Sequence, residues 1–397
     1  MNLQALPWMP KLQQLLARPD EPRDYDSFLL LLLLSLLAIG VVMVNSASVP
    51  VAERLFGNPL HFTIRHLIYL GLGGTLAVLV LNVPVQRWHQ GNLLLLALAV
   101  AGLLAVLIFG RTVNGATRWL AWGPISIQPA EPAKLFFFVY LASYLVRRHE
   151  EVRENIKGFA KPMLVLLVLS VLLLLQPDMG TVIVMFATAL VLLFLAGAKL
   201  WQFIVLSLTG VSAVLFLIVY SEYRWRRVTA FLDPWADPFG SGYQLTQSLM
   251  AFGRGGFSGQ GLGNSIQKLE YLPEAHNDFI FAIIAEETGF IGVFAVLALL
   301  FLLVARVLWI GRQAMLKQMH FHGFLALAMA IWFGFQTAVN IGVASGVLPT
   351  KGLTLPFVSS GGSSLIIMLM AAALVLRIDF EVRMEGKHAI NRGGRNT

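Results

Sequence analysis

The sequence predicts an all-α integral membrane protein: a single bundle of ten transmembrane helices, with a large extracytoplasmic loop between spans seven and eight. Composition is the first observation behind this class, because 57% of the residues are hydrophobic and only 13% are charged, with a mean hydropathy of +0.74. Such values are typical of chains that lie in a bilayer. The second observation is the pattern of apolar residues. Runs such as 29–37 and 94–107 lack the alternation of apolar and polar residues that a membrane barrel strand shows. Continuous apolar runs favour helices.

Each span is predicted from an apolar run of about the length that crosses a bilayer. The ten runs are residues 27–46, 62–83, 93–110, 131–147, 162–176, 180–197, 200–220, 278–309, 322–345 and 362–378. This pattern predicts a cytoplasmic segment at 1–26, one membrane domain at 27–378 that contains the large loop 221–277, and a cytoplasmic tail at 379–397. Within the loop, residues 244–252 are predicted to form a short amphipathic helix at the membrane interface.

Orientation follows from the positions of the cations. Basic residues cluster before span one, after span four and after span eight, and these three regions lie on one side of the membrane. The positive-inside rule makes that side the cytoplasm, and an even span number then places both termini there. The net charge of +8 therefore reflects topology and not nucleic-acid binding. His320 and His322, in the loop before span nine, are predicted to be solvated.

Acidic residues at the start of span eight are the first candidates for chemistry. Asp278 begins the span beside Glu274 and His276, while Glu286 and Glu287 lie about 12 Å deeper along the same helix. A carboxylate at that depth costs about 2.5 to 3.5 kcal/mol, so both are expected to face a protein interior or a wet cavity. Two interpretations of Asp278 stay open: a first-turn acid that complements the helix dipole, or a functional carboxylate whose pKa its neighbours tune.

Several extracytoplasmic cations are candidates for binding an anionic substrate. Lys134 lies three residues after Glu131, so the two share a helix face, and both a structural ion pair and a ligand contact are open. Lys351 lies in a proline-bracketed break between two spans, where irregular backbone usually lines a cavity. Arg254 lies in the glycine-rich stretch 253–263, which is either a flexible loop or a backbone nest for phosphate oxygens.

Six motifs together resemble one known family. They are residues 114–119 (NGATRW), 128–131 (QPAE), 240–244 (GSGYQ), 261–264 (GLGN), 272–279 (LPEAHNDF) and 348–356 (LPTKGLTLP). In this order, and over residues 26–383, the chain is similar to the SEDS family (shape, elongation, division and sporulation). Two positions depart from the family's pattern, since Asn277 replaces a threonine and Ser360 replaces a tyrosine.

The resemblance implies a ten-span inner-membrane glycosyltransferase that polymerises lipid II into peptidoglycan strands at the division septum. It implies a class B penicillin-binding protein and other divisome proteins as partners, and it makes Asp278 the essential aspartate. Lipid II bears its own diphosphate leaving group, so a single carboxylate that accepts the acceptor's hydroxyl proton suffices for an inverting displacement. Cations must stabilise the departing diphosphate, and a divalent ion such as Mg or Mn is an alternative source of that charge.

The resulting hypothesis has Asp278 as the base. Arg118, Lys134 and Lys351 line the donor or acceptor groove, Glu131 orients Lys134, and His276 and Arg254 contact the substrate. Two other classes remain open. A lipid II flippase would use Glu286 and Glu287 inside the membrane, and a septal scaffold would have no catalytic residue.

Overall fold

The computed structural model of the protein describes residues 25–113, 116–122, 125–220, 222–349 and 352–393. Within them the chain is mostly helical, with one small sheet. The helices are α1 (Ser27–Phe56), α2 (His61–Leu81), α3 (Val85–Gln90), α4 (Asn92–Phe109), α5 (Ala130–Arg147), α6 (His149–Glu154), α7 (Ile156–Leu175), α8 (Met179–Leu195), α9 (Leu200–Val219), α10 (Glu222–Leu232), α11 (Tyr243–Gly255), α12 (Ile280–Leu316), α13 (His320–Ala344) and α14 (Gly362–Gly393).

Every apolar run predicted from the sequence lies on a helix. Among the described residues, α1, α2, α4, α7, α9, α12 and α13 are each long and apolar enough to cross a membrane, and α8 is a shorter apolar helix. Predicted spans four and ten coincide with α5 and α14. The helical membrane class is therefore confirmed, whereas the count of ten spans stays a prediction.

The core of the bundle lies where α12 and α13 pack against each other and against α1, α5 and α8. Aromatic rings fill its centre: Phe138 contacts Trp332, and Phe333 contacts Phe357. Gly40 lets α1 approach the backbone of 357–358, because an added Cβ would lie 2.9 Å from the Phe357 carbonyl oxygen. Small residues at such contacts allow close helix packing in membranes.

Ion pairs join helices at the end of the bundle where the sequence predicts the cytoplasm. Asp26 caps α1 through the backbone N–H groups of Phe28 and Leu29, and its other oxygen lies 2.6 Å from Arg306 of α12. His322 is buried, and its Nε2 lies 2.9 Å from Glu381 of α14. The prediction that His322 is solvated was wrong, because its acidic partner lies 59 residues away in the sequence.

The predicted boundary at residue 378 is not visible as a break in the chain. Helix α14 continues past it to Gly393, and Asp379 pairs with Arg383 one turn later, at 2.8 Å. Lys317, at the end of α12, donates a hydrogen bond to the carbonyl of Val382. The first part of the predicted tail therefore packs against the membrane domain as a continuation of its last helix.

A three-stranded antiparallel sheet lies at the opposite end of the bundle, which we call the sheet end. Its strands are β1 (Arg111–Val113), β2 (Ala116–Trp122) and β3 (Ile125–Ile127), in the order β1-β2-β3. Thr112 pairs with Thr117, and Ala121 pairs with Ser126. No strands were predicted here, because two of the three strands have only three residues, which is too short to show a period-two pattern.

The large loop after α9 folds onto the bundle. Helix α11 confirms the amphipathic helix predicted at 244–252, and it packs on α12 and α13. Ser248 on its buried face donates a 2.6 Å hydrogen bond to the carbonyl of Ala344. This face is covered by protein, so the separation of polar and apolar side chains on α11 reflects packing against the other helices.

The glycine-rich stretch after α11 enters a break in α12. Gly289 has φ 64° and ψ −161°, and it interrupts the helix. The N–H groups of Gln260 and Gly261 donate to the carbonyls of Glu286 and Glu287, each at 3.0 Å. A Cβ at Gly289 would lie 2.3 Å from the nitrogen of Gly259. The stretch is therefore attached to α12 by its backbone, which argues against the flexible loop considered from the sequence, whereas the phosphate nest stays a prediction.

Candidate active site at the sheet end

A cavity of about 1320 Å³ lies at the sheet end, between α2, the sheet, the first turns of α5 and α8, and the segments 276–278 and 352–364. Three carboxylates line it, from Glu131, Asp178 and Asp278. Three guanidinium groups line it as well, from Arg65, Arg111 and Arg118. A volume of this size exceeds the roughly 300 to 1,000 Å³ of sites for drug-sized ligands, so the cavity can hold a large substrate.

Asp278 lies half-buried on the cavity wall, directly before α12. Asn340, buried in α13, donates one amide hydrogen to the carbonyl of Asp278 at 2.8 Å and another to the carbonyl of Leu353 at 2.6 Å. Ser359 donates to the carbonyl of Asn277 at 2.8 Å. Because the backbone before and at Asp278 is bonded to two other segments, the point from which its side chain extends is held in place before any substrate binds.

Arg118 and Arg65 reach the cavity from two different elements. Arg118 of β2 donates a hydrogen bond to the carbonyl of Gln176 at 3.1 Å and another to that of Pro177. Arg65 of α2 donates to Ser126 Oγ at 2.9 Å. Arg118 was predicted from the sequence, whereas Arg65 was not. The sequence did contain a signal for Arg65, because it is a cation within an apolar span. A charge there costs free energy, so its presence indicates a functional site.

Glu131 and Lys134 form the ion pair that their spacing predicts. Lys134 Nζ lies 3.0 Å from Glu131 Oε1 and 3.2 Å from Gln336 Oε1, and it lies 5.1 Å from the centre of the Trp332 ring. Lys134 is fully buried and does not line the cavity, whereas Glu131 does. Direct contact between Lys134 and substrate therefore stays a prediction without geometric support, because protein groups already surround the ammonium.

The other predicted cations and His276 have different placements. His276 lines the cavity two residues before Asp278. Burial lowers the pKa of its imidazole, and the negative charge of Glu274 opposes that shift in part. Arg254 lies 3.6 Å from buried Glu286 and is not among the residues that line the cavity, because α11 places it against α12. Lys351 lies outside the described residues.

Glu286 and Glu287 are buried, as their depth in the span predicts. Glu286 accepts hydrogen bonds from the Ser265 hydroxyl and from the N–H group of Ile266. Glu287 pairs with Lys268 at 2.8 Å and accepts a hydrogen bond from Ser46 of α1. Both carboxylates thus join the loop to the bundle, and neither lines the cavity.

Two further cavity residues were not selected from the sequence. Asp178 caps α8, accepting from the N–H and hydroxyl of Thr181 at 3.3 and 2.9 Å, and it also accepts from Gln128 at 3.3 Å. Tyr69 of α2 packs against Gly362, where an added Cβ would lie 2.6 Å from the ring. The segment around Ser360, where the family's pattern has a tyrosine, therefore still contacts an aromatic ring. That ring belongs to Tyr69 of α2.

Metal binding was tested against the same residues. Within the part of the chain that the structure describes, no three His, Asp or Glu side chains converge in a way that could hold a metal ion. The divalent cation considered from the sequence therefore stays an untested prediction.

The fold and cavity define a multi-pass helical membrane protein with acidic and cationic groups gathered at one end of its bundle. The chain belongs to the FtsW/RodA/SpoVE family, described as "Cell cycle protein", whose model matches residues 27–384. This match confirms the SEDS resemblance. Within the family, relatives that are 62% and 56% identical bear the FtsW name.

Similar proteins support the same assignment. A protein of Alteromonas naphthalenivorans named "Probable peptidoglycan glycosyltransferase FtsW" is 62% identical over 380 residues, which are 95% of this chain and 74% of that protein. A chain of the solved structure "Structural coordination of polymerization and crosslinking by a peptidoglycan synthase complex" superposes with a TM-score of 0.75 at 31% identity, covering 91% of this chain and 99% of that one. The crystal structure of Thermus thermophilus RodA gives a TM-score of 0.67 at 31% identity, covering 90% and 97%.

Proposed function

We propose that this protein is a peptidoglycan glycosyltransferase that polymerises lipid II into glycan strands at the division septum. The observation that carries the proposal is the placement of Asp278 on the wall of a large cavity that Arg65, Arg111 and Arg118 also line. A carboxylate that shares a cavity with several cations suits transfer of a sugar from a diphosphate. Relatives named peptidoglycan glycosyltransferase over nearly the whole chain support this activity.

Asp278 acts as the general base in this mechanism. The acceptor sugar's hydroxyl gives its proton to the Asp278 carboxylate while its oxygen bonds to the donor's anomeric carbon. The bond from that carbon to the diphosphate breaks with its electron pair, so the configuration inverts and polyprenyl diphosphate departs. No second carboxylic acid is needed, because the diphosphate is a good leaving group without protonation.

The arginines stabilise the charge that grows on the departing diphosphate. Arg65 and Arg118 are held by hydrogen bonds to protein oxygens at 2.9 and 3.1 Å, so little reorganisation is needed during the reaction. Arginine suits this task because its planar fork binds phosphate oxygens in pairs. Glu131, which lines the cavity, forms an ion pair with buried Lys134, which does not line it. A divalent ion, if bound, would supply further Lewis acidity to the diphosphate.

One side of the cavity suits the lipid part of the substrate. Ile64, Ile68 and Leu72 recur along one face of α2, and all three line the cavity while remaining exposed. In a membrane such exposed apolar side chains contact hydrocarbon. A prenyl chain along this stripe would stay in the bilayer while its diphosphate reaches the arginines.

The topology that fits this reaction has ten spans, cytoplasmic termini and the sheet end outside the inner membrane. Lipid II would then react where the finished strand is needed. The partner would be a class B penicillin-binding protein of the divisome. Support comes from the fold's similarity to a chain of a peptidoglycan synthase complex.

The test measures glycan strands formed from purified lipid II in detergent, with the cognate class B penicillin-binding protein present and its transpeptidase blocked. Wild type and Asp278→Asn are compared, with Asp233→Asn, an exposed acid of the large loop, as the matched control. Strands from wild type and the control, and none from an equally stable Asp278→Asn, are expected. Strands from all three would remove Asp278 from the mechanism.

The alternatives predict other outcomes of the same experiment. If no form makes strands although wild type binds lipid II, the flippase interpretation gains, and lipid II transfer across vesicles should then depend on Glu287. If neither polymerisation nor transfer depends on either acid, a scaffold remains. Both acids have structural contacts that do not require a role in transport. Glu286 bonds Ser265 and Ile266, and Glu287 pairs with Lys268.

A further inference from the structure

Four rings form a continuous file at the mouth of the cavity. Phe56, at the end of α1, stacks on His61 with 3.8 Å between ring centres and 8° between planes. The rings of His61 and Phe62 pack edge to face with 5.5 Å between their centres. The ring centres of Phe62 and His276 are 4.6 Å apart. The file thus ends two residues before Asp278. His61, Phe62 and His276 all line the cavity.

Local backbone structure brings these rings together. Helix α1 ends at Gly57, whose φ of 62° reverses the chain after Phe56. Asn58 accepts a hydrogen bond from the N–H group of Leu60 at 3.0 Å, which holds the short turn into α2. The carbonyl of His276 accepts a hydrogen bond from the N–H group of Ser360 at 3.1 Å. The file is therefore built from three separate segments that are each fixed.

Core packing does not explain these rings, because they are incompletely buried. Phe56 is 51% exposed, and the rings of His61, Phe62 and His276 are half-buried at a cavity surface. In addition, Nδ1 of His276 is buried without a hydrogen-bond partner among the described residues. A buried polar atom in this state costs free energy unless a ligand satisfies it. The file therefore has exposed ring surface and, just beneath it, a polar atom that lacks a hydrogen-bond partner in the described part of the chain.

We propose that this ring file is a sugar-binding track that holds the growing glycan strand as it leaves Asp278. The ligand class is a chain of β-linked N-acetylated pyranosides, whose apolar C–H faces pack against aromatic rings and whose hydroxyl and acetamido groups can bond His276 Nδ1 and Asn58. This inference rests on the proposed glycosyltransferase function and names a subsite for its product.

The prenyl chain is a poorer occupant of the file than sugar. The exposed apolar stripe that suits the lipid reaches Leu72, ten residues beyond Phe62 along α2, or about 15 Å deeper. The ring file lies at the opposite, outer end of that helix. The stripe begins at Ile64, two residues after Phe62, and continues inward, so sugar at the rings and lipid along the stripe would lie on successive parts of one helix.

The first test compares strand lengths made by wild type, Phe62→Leu, Phe62→Tyr and Phe239→Leu under the polymerisation conditions above. A stacking contact is worth a roughly three- to tenfold change in affinity, so Phe62→Leu should release strands that are shorter by about that factor, with a smaller fall in coupling rate. Phe62→Tyr should restore length. Phe239, which is 89% exposed in the large loop, is the matched control and should leave length unchanged. Unaltered strand length in Phe62→Leu would overturn the track.

The second test needs no polymerisation, so it separates this inference from the proposed function. A soluble β-1,4-linked N-acetylglucosamine hexamer is titrated into Phe62→Trp, and the fluorescence change is compared with that of wild type and of Asp278→Asn/Phe62→Trp. A saturable change that is larger in both Phe62→Trp proteins than in wild type, whose own Trp119 lines the cavity, supports the track even if wild type makes no strands. Absence of any change in a stable Phe62→Trp protein argues against it.

Discussion

Gly352 and Asp278 approach so closely that only a hydrogen atom fits between them. A methyl group at Gly352 would lie 2.7 Å from Asp278 Oδ2, which is closer than van der Waals contact allows. The two residues belong to different segments, and Asn340 holds them together by bonding the carbonyls of Asp278 and Leu353. The proposed base therefore lies against a segment 74 positions away, and a side chain at position 352 would displace its carboxylate.

Gly352→Ala should lower the rate of strand formation by about ten- to a hundredfold, because a shift of roughly 1 Å in a catalytic group costs that much. The measurement is the initial rate of lipid II consumption. Gly253→Ala is the matched control, since a Cβ there meets no atom within 4 Å. If Gly352→Ala polymerises like the control, the position of Asp278 does not depend on this contact.

Asn340→Leu should destabilise the protein and slow catalysis together. The substitution removes two hydrogen bonds and leaves the carbonyls of Asp278 and Leu353 without this donor, at about 1 to 3 kcal/mol for a buried group. Thermal unfolding in detergent and the initial rate would be measured on the same preparation. Full activity at a temperature where the variant is folded would show that Asn340 stabilises the fold without positioning Asp278.

Lys268→Met should destabilise the fold by about 3 to 5 kcal/mol, because it leaves Glu287 buried with an uncompensated charge. The double variant Lys268→Met/Glu287→Leu should be less destabilised than the single one. Arg226→Met breaks an ion pair whose side chains are 70% and 79% exposed, so it should change the free energy of unfolding by at most about 1 kcal/mol. Equal effects of Lys268→Met and Arg226→Met on thermal unfolding would contradict the buried network.

Acidification should lower the free energy of unfolding through His276, which lies at the mouth of the cavity. Its pKa in the folded protein is lowered by burial, so the unfolded chain takes up a proton at higher pH than the folded one. The contribution of the neutral imidazole is thus fully present above the unfolded pKa of about 6.5, and it is lost as pH falls through the lowered value. NMR titration of the histidines, assigned with His276→Gln, should show one imidazole that protonates below the ordinary range. Titration of His276 at or above that range would refute the expectation.

Several site features could be predicted from sequence because they depend on local spacing. Glu131 and Lys134 pair as their three-residue separation on a helix requires. Glu286 and Glu287 are buried because a carboxylate within an apolar span must avoid lipid. The roles of Arg65 and Asn340 were not predictable in this way, since their partners lie 61 and 62 residues away. Lys134 was assigned to the groove, but Gln336 and Trp332 enclose it from a helix about 200 positions later.

The membrane class, the positions of the helices and the family could be predicted from the amino-acid sequence, because hydrophobic run length and contiguous motifs are local properties of the chain. The three-dimensional packing was needed to show which charges face the cavity, how Asn340 holds the backbone of Asp278, and that Phe56, His61, Phe62 and His276 form one file. The physical reason is that hydrogen bonds and ring contacts act over a few ångströms between residues that are far apart in sequence, and helix packing alone sets those separations.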